Sequence, residues 1–298
     1  MKILLLGKNG QVGWELQRSL APLGELIALD RQGMDGLAGD LSNPEALRDT
    51  VRAVRPHAIV NAAAYTAVDK AESDTELART INATAPGVLA EEAAALGAWL
   101  VHYSTDYVFD GSGDMPRDET AHTGPLSVYG LTKLEGERAI AATEARHLVF
   151  RTSWVYAARG GNFARTMLRL AGEREQLRVI DDQVGAPTGA ELIADVTAHA
   201  LMQAWQRPEL AGLYHLAASG HTSWHGYACH VIENARRAGH TLKASAAAIE
   251  PIPTSDYPTP ARRPLNSRLD TNKLRAAFGL NLPDWRIGVD RMLTEIRA

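Results

Sequence analysis

The chain has 298 residues, 45% of them hydrophobic and 22% charged, which is enough for a buried core in one large or two smaller domains and excludes wholesale disorder. A formal net charge of -4 argues against nucleic-acid and anionic-membrane partners, which favour a basic surface. The single cysteine, Cys229, excludes an internal disulfide and suits a reducing compartment. Within TSWHGYACHVIENA it reads as a helical packing residue rather than a nucleophile. The N-terminal apolar run is too short for a signal peptide, and no stretch approaches the roughly 20 apolar residues of a membrane span, so a soluble cytoplasmic protein is expected.

In chain order, Lys2–Leu6 is an apolar run of strand length, Gln11–Leu20 a helix and Glu25–Leu29 a second strand. Ser42, Asn43 and Pro44 mark the next helix start, with Ser42 and Glu45 spaced as an S-x-x-E capping box. His57–Asn61 is a third strand, Thr75–Leu96 a long Ala-rich helix and Trp99–Ser104 a fourth strand. A helix over Val128–Thr143 and a strand over His147–Thr152 follow. Strands separated by helices pair in parallel, and the right-handed crossover rule makes this an α/β doubly wound parallel sheet of the Rossmann type.

Beyond about residue 155 the pattern changes. Helices are expected at Asn162–Gly172, Ala190–Ala204, Ser223–Ala238 and Trp285–Ile296, with short strands at Arg178–Ile180 and Leu213–Leu216. Prolines at 251, 253, 258, 260 and 264 forbid a helix or central strand there and leave an extended arm. The expected division is a dinucleotide-binding domain over 1–155 and a smaller mixed substrate lobe over 156–298, with the helix near 190–205 returning to the first.

Gly7, Gly10 and Gly13 follow the first strand and open the first helix in G-x-x-G-x-x-G spacing. Glycine permits the tight turn and lets a pyrophosphate approach the helix amino end, where unpaired N–H groups favour an anion. Asp30, 17 residues beyond Gly13, ends the second strand, where a carboxylate accepts from an adenosine ribose. Arg31 beside it would attract a 2′-phosphate, so NADH and NADPH both remain open. Asp40, at the next strand-to-helix turn, is either an adenine contact or a solvated turn residue.

Tyr129 and Lys133 lie four apart on one helix face. An ammonium close to a phenol lowers its pKa and makes it a proton donor to a carbonyl under reduction. At the end of the fourth strand, Thr105, with Ser104 next, is the candidate hydroxyl for the substrate oxygen; satisfying local backbone groups is the competing role for both.

Together with these, Asn61–Thr66, Ser104–Phe109, Arg151–Tyr156, the run Asp182-Gln183-x-Gly185-x-Pro187-Thr188 and Arg263-Pro264-x-Asn266-Ser267 resemble the dTDP-4-dehydrorhamnose reductase family of extended short-chain dehydrogenases/reductases. The resemblance spans essentially the whole chain. It implies reduction of dTDP-4-dehydro-β-L-rhamnose to dTDP-L-rhamnose by NADPH or NADH. By similarity the cofactor lies over Gly7, Gly10, Gln11, Val12, Gly13, Asp30, Asp40, Leu41, Ala64, Tyr65 and Thr66. Tyr65 stands where some relatives have His, so a role is expected for its backbone only. Tyr129 would donate the proton and Lys133 hold the nicotinamide ribose, while Thr105, Asp106 and Trp154 match sugar-contacting positions. A nucleotide diphosphate calls for cations, for which Arg262 and Arg263 are candidates.

Some family members use Mg²⁺ at a dimer contact, with Glu15, Glu191 and Glu295 as possible equivalents here, so a metal and a homodimer stay open; solvated helix faces explain these glutamates equally well. The histidines show no H-x-x-x-H pattern on a helix. Two alternatives compete with the reductase reading. A nucleotide-sugar epimerase or dehydratase shares the fold, but the similar dehydratases have Glu after Thr-Asp, where Tyr107 stands. A non-catalytic dinucleotide-binding regulatory subunit would be favoured by loss of Tyr129 or Lys133, and both are present.

Overall fold

A computed structural model describes residues 1–296. Six strands, β1 (Lys2–Leu6), β2 (Glu25–Leu29), β3 (Ala58–Asn61), β4 (Trp99–Thr105), β5 (Arg146–Thr152) and β6 (Gly212–His215), form one sheet in the order β2-β1-β3-β4-β5-β6. Every pairing is parallel. Parallel strands need covering on both faces, and the covering helices are α1 (Gln11–Leu20), α2 (Pro44–Val54), α3 (Ala85–Leu96), α4 (Val128–Ala141) and α6 (Ala190–Gln206), with α5 (Phe163–Glu173) lying between the last two in the chain.

Alternation along the strands assigns each face its core. Ile3, Leu5, Val60, Val101 and Phe150 pack against Leu16 and Leu20 of α1 and Ile193 and Leu201 of α6. Leu4, Leu6, Ile59, Leu100 and Val149 pack against Leu47 and Val51 of α2, Leu89 of α3 and Ile140 of α4. Strand order reverses between β1 and β3, so the crevice for a ligand opens at the carboxyl ends of these strands.

Three local features differ from the sequence expectation. The α2 cap is Asn43, whose side chain accepts from Ala46 N at 3.2 Å, while Ser42 N donates to Asp40 Oδ1 at 2.9 Å; the Ser42–Glu45 box does not form. Thr75–Leu96 is interrupted by a π-helical turn over Thr80–Thr84. Such turns often mark functional sites, and this one directs Asn82 inward. The third is β6, which sequence assigned to the second lobe but which lies in the main sheet beside β5.

The rest of the C-terminal half has its own apolar clusters. Tyr156, Tyr227, Trp285 and Val289 gather around α5, α7 (Trp224–Arg237) and α8 (Trp285–Glu295). Leu177–Ile180 pairs in parallel with Ile249–Ile252, and Pro251 is tolerated because this is a two-stranded edge pairing. Cys229 is half-buried on α7. No helix among the described residues is long and apolar enough to cross a membrane.

Candidate active site

The glycine loop is built by close backbone approach. Gly7 has φ +87°, and the N–H groups of Gly7 and Lys8 both donate to Leu29 O, at 2.9 and 3.1 Å. A Cβ on Gly13 would lie 2.0 Å from Gly7 O, so only glycine lets α1 rise directly from the turn. Gly10 caps α1 without any side-chain hydrogen bond, which leaves the amide groups of the first turn for an anion.

Around the loop, Asp30 accepts from Asn9 Nδ2 at 2.9 Å and Gln32 N at 3.1 Å, with Lys8 Nζ at 3.5 Å. Arg31 turns to Asp40, Nε to Oδ2 3.1 Å. Burial acts to raise the Asp40 carboxyl, but hydrogen bonds from Ser42 and Arg31 outweigh it and hold the group below its ordinary value. Leu41 is buried behind it, and Gln11 Oε1 accepts from Asn162 Nδ2 at 3.1 Å.

Ala64–Thr66 follows β3. Asn82 of the π turn accepts from Tyr65 N at 2.9 Å and donates to Tyr65 O at 3.1 Å, fixing that backbone on both sides. The Tyr65 phenol instead donates to Asp74 Oδ2 at 2.9 Å. Nothing in the local sequence announced Asn82 beyond its being a polar residue in an Ala-rich helix.

Ser127 starts α4, its hydroxyl accepting from Gly130 N at 3.2 Å. A Cβ on Gly130 would lie 2.2 Å from Tyr107 O, so this glycine lets the Tyr129–Lys133 helix dock on the turn after β4. Tyr129 meets the Tyr107 ring edge-on, centroids 5.6 Å apart. Thr105 Oγ1 donates to Asp106 Oδ1 at 3.0 Å and accepts from Tyr107 N at 3.2 Å, while Asp106 Oδ2 is buried without a partner. Ser104 is committed elsewhere: it donates to Glu137 Oε1, and Glu137 is clamped by Arg151 through Nε (2.9 Å) and a terminal nitrogen (2.6 Å). This buried Ser104–Glu137–Arg151 group went unread in the sequence, although Glu137 follows Lys133 by one helical step.

Electrostatics depart from the sequence expectation at the central pair. The Tyr129 phenol is pushed up to about 12 by burial, with Thr105 lowering and the Asp106 charge raising it. The expected acidification by Lys133 is not seen, because Lys133 Nζ turns the other way, donating to Tyr103 O at 2.6 Å and sitting 3.1 Å from His102 Nε2. Burial lowers Lys133 itself to about 8, against an opposing effect of Glu137. Asp106 is raised to about 6 by burial, with Ser267 and Thr105 opposing.

Beyond β5, Trp154 has φ +48°, unusual for a bulky residue, and its ring stacks on Trp224 with centroids 3.6 Å apart. Gly185 leaves room for that ring, since a Cβ there would come within 2.8 Å of Trp154 Cε2. Trp224, a further residue that no motif marked, donates through Nε1 to Gln183 Oε1 at 3.1 Å. Arg263 is already engaged: its fork meets Asp69 at 2.8 and 3.1 Å, and Thr259 Oγ1 accepts at 2.6 Å. Arg262 next to it is exposed.

The metal candidates do not form a closed site. Glu191 is raised by burial and by the charge of Glu295, with Arg291 opposing and Glu15 adding. Arg291 lies within ion-pair distance of both Glu191 and Glu295, and Glu15 pairs with Arg18. Among the described residues no group of three or more His, Cys, Asp or Glu side chains is placed to hold an ion. The residues present therefore do not fit a resident Mg²⁺ within one chain.

The family model described as the RmlD substrate binding domain matches residues 1–298. The dTDP-4-dehydrorhamnose reductase of Escherichia coli (strain K12) is 61% identical over 296 residues, covering 99% of this chain and 98% of that protein. The chain belongs to the dTDP-4-dehydrorhamnose reductase family. A family member of known structure from Clostridium acetobutylicum superposes with a TM-score of 0.88 at 34% identity, covering 100% of both chains. The Bacillus anthracis dTDP-4-dehydrorhamnose reductase, solved in complex with NADP, gives a TM-score of 0.86 at 33% identity over 99% of each chain. The glycine cradle fits a dinucleotide on its own geometry, since the space beside Gly7 and Gly13 admits no further carbon and the first-turn amides of α1 are uncapped.

Proposed function

We propose that this chain reduces the C4 ketone of dTDP-4-dehydro-β-L-rhamnose to give dTDP-L-rhamnose, using NADPH or NADH. One observation carries the reading: a half-buried tyrosine stands beside Thr105 and Asp106 at the carboxyl end of the sheet, the end at which β1 delivers the glycine loop. When bound, the cofactor supplies the hydride and, once oxidised, a positive ring that favours a phenolate. Gly7, Gly10, Gln11, Val12 and Gly13 present the pyrophosphate cradle, Asp30 takes the adenosine ribose, and Asp40 and Leu41 border the adenine. The backbone of Ala64, Tyr65 and Thr66, held by Asn82, lines the cofactor, and Lys133 holds the nicotinamide ribose.

Tyr129 keeps its proton until negative charge develops on the ketone oxygen, then donates it; a phenol of high pKa is a poor acid toward a ketone but a competent one toward an alkoxide. Thr105 and Asp106 orient the sugar hydroxyls, and Trp154 covers the ring from a conformation fixed by Trp224. Arg263 reaches the diphosphate only by loosening its fork on Asp69, whereas exposed Arg262 is free of that cost. Dehydration would need a second carboxylate after Asp106, and Tyr107 occupies that position with its ring against Tyr129.

The test is to supply the 4-keto dTDP sugar with NADPH or NADH in separate reactions, following cofactor oxidation and identifying the product. Tyr129→Phe should lower kcat by about 10²-fold or more while leaving NADPH binding intact. Near-normal turnover in that variant, or no sugar-dependent oxidation by the wild type, rejects the reading.

A further inference from the structure

Among the buried ionisable groups that the proposed reaction leaves unused, His102 stands directly behind Lys133. His102 lies within β4 and is 1% exposed; Asn61, beside it in the β3–β4 register, is also 1% exposed, and Lys133 is 2% exposed. The three form a chain. Asn61 Nδ2 is 3.2 Å from His102 Nδ1, and His102 Nε2 is 3.1 Å from Lys133 Nζ. Buried polar groups need partners, so the hydrogens along this chain must be consistent with one another.

Two arrangements satisfy both ring nitrogens. Asn61 Oδ1 accepts from Ala63 N at 3.2 Å, which turns the amide NH₂ toward the ring. Nδ1 then accepts, and a neutral imidazole carries its hydrogen on Nε2, facing Lys133. With Lys133 as an ammonium, two donors would confront each other. Either Lys133 is the neutral amine and accepts from Nε2–H, or the Asn61 amide turns over and gives up the Ala63 N–H as a partner, the ring hydrogen sits on Nδ1, and Nε2 accepts from the ammonium. The two arrangements differ by one proton, exchanged between Lys133 and solvent.

We propose that Asn61 and His102 are a positioning pair whose tautomer switches as Lys133 gains or loses a proton, and which thereby sets the charge that the lysine presents at the active site. The proposal rests on the role given to Lys133 above. The surrounding groups agree with it. Burial, then the charge of Lys133, keeps His102 well below its ordinary value, so the ring stays neutral while the lysine titrates near 8. Glu137 on α4 faces Lys133 and favours its charged form, and is itself neutralised by Arg151 of β5. Asp106 and Tyr129 act on each other at the sheet end, and β3 contributes only uncharged residues, among them Asn61.

The test is ¹⁵N NMR of the histidine rings in the full chain from about pH 6 to about 9.5, with the His102 signals assigned by difference from His102→Gln. The expected result is a neutral ring throughout that passes from Nδ1–H to Nε2–H with a midpoint near pH 8, and no such change in Lys133→Met. A single tautomer across the range, or protonation of His102 near its ordinary 6.5, overturns the proposal. In turnover, His102→Gln should displace the limb of the kcat pH profile by about one unit while KM for the sugar stays within about twofold. An unmoved profile also overturns it. Should His102→Gln fail to fold, Asn61→Ser serves as the second variant: it removes the amide from Nδ1 and must shift the NMR midpoint, and an unshifted midpoint counts against the pair. Because the NMR arm needs no substrate, its failure is distinguishable from failure of the proposed reduction.

Discussion

Gly13→Ala tests whether the glycine loop is a cofactor cradle or merely a turn. The added methyl would sit 2.0 Å from Gly7 O, 2.7 Å from Gly7 C and 3.2 Å from Lys8 Cα. Non-bonded carbon normally keeps about 3.5 Å or more from its neighbours, so loop and helix must part by about 1 Å. All the nearest atoms are backbone, and none can rotate away. Forcing a methyl into a filled site costs roughly 1–3 kcal/mol, which for a chain of this size is a fall in Tm of roughly 2–5 °C. A 1 Å displacement of the cradle should weaken NADPH by about 100-fold, equivalent to about 2.7 kcal/mol. Gly10→Ala is the matched control, because its Cβ meets only Gly7 O, at an acceptable 3.4 Å. That variant should keep its Tm within about 1 °C yet bind NADPH at least about tenfold more weakly, since the methyl lies where a pyrophosphate must approach. Thermal melts paired with NADPH fluorescence titrations read both quantities. Wild-type affinity in Gly13→Ala would refute the reasoning, as would full affinity in Gly10→Ala.

Asp30→Ala should weaken NADH by roughly tenfold, the loss of a charged hydrogen-bond acceptor, and NADPH by less, because Lys8 and Arg31 remain to meet a 2′-phosphate; equal losses for the two cofactors would dismiss that role. His215 is pushed down to about 3 by burial and then by Arg151, so it stays neutral in the folded chain while the unfolded histidine takes a proton near 6.5. Its stabilising contribution is therefore complete above about pH 6.5 and is lost as pH falls toward 3, by roughly 2 kcal/mol at pH 5. Urea melts at pH 5 and 7.5 should show a smaller acid penalty in His215→Leu than in the wild type, and equal penalties would exclude the histidine as the cause. Gly172→Ala, near the end of α5 where a Cβ meets nothing within 4 Å, should stabilise by about 0.5–1 kcal/mol; an unchanged or lower Tm would show that the helix end needs glycine.

The strands were legible because a sheet covered on both faces demands uninterrupted apolar runs, as in Ile3–Leu6 and Ile59–Val60, and each is bounded by a turn signal. Spacing also revealed the glycine loop and the Tyr129–Lys133 face, which are properties of one element at a time. What escaped are properties of contact between distant segments. The pairing of β6 with β5 joins residues about 60 positions apart, and Arg263 finds Asp69 194 positions away. The same reason applies to the phenol: proximity along a helix argued for a lowered pKa, whereas the packing around the half-buried Tyr129 pushes it up and Lys133 turns toward Tyr103 O. His102 was invisible as a polar residue inside a strand, and its meaning depends on Asn61 in a neighbouring one.

The return of β6 to the main sheet has a mechanical consequence. The backbone leaves the sheet after β5, comes back through α6, leaves again after β6, and returns once more where Leu274 and Phe278 join the first core. A chain laced by so many passages between its sheet and its C-terminal apolar clusters does not swing on a single hinge. A protease nick in any one connection leaves the others holding, and a fragment ending near residue 155 would expose β5 as a raw edge stripped of its neighbour and of the α6 cover. Shortened versions of this chain should therefore aggregate rather than fold.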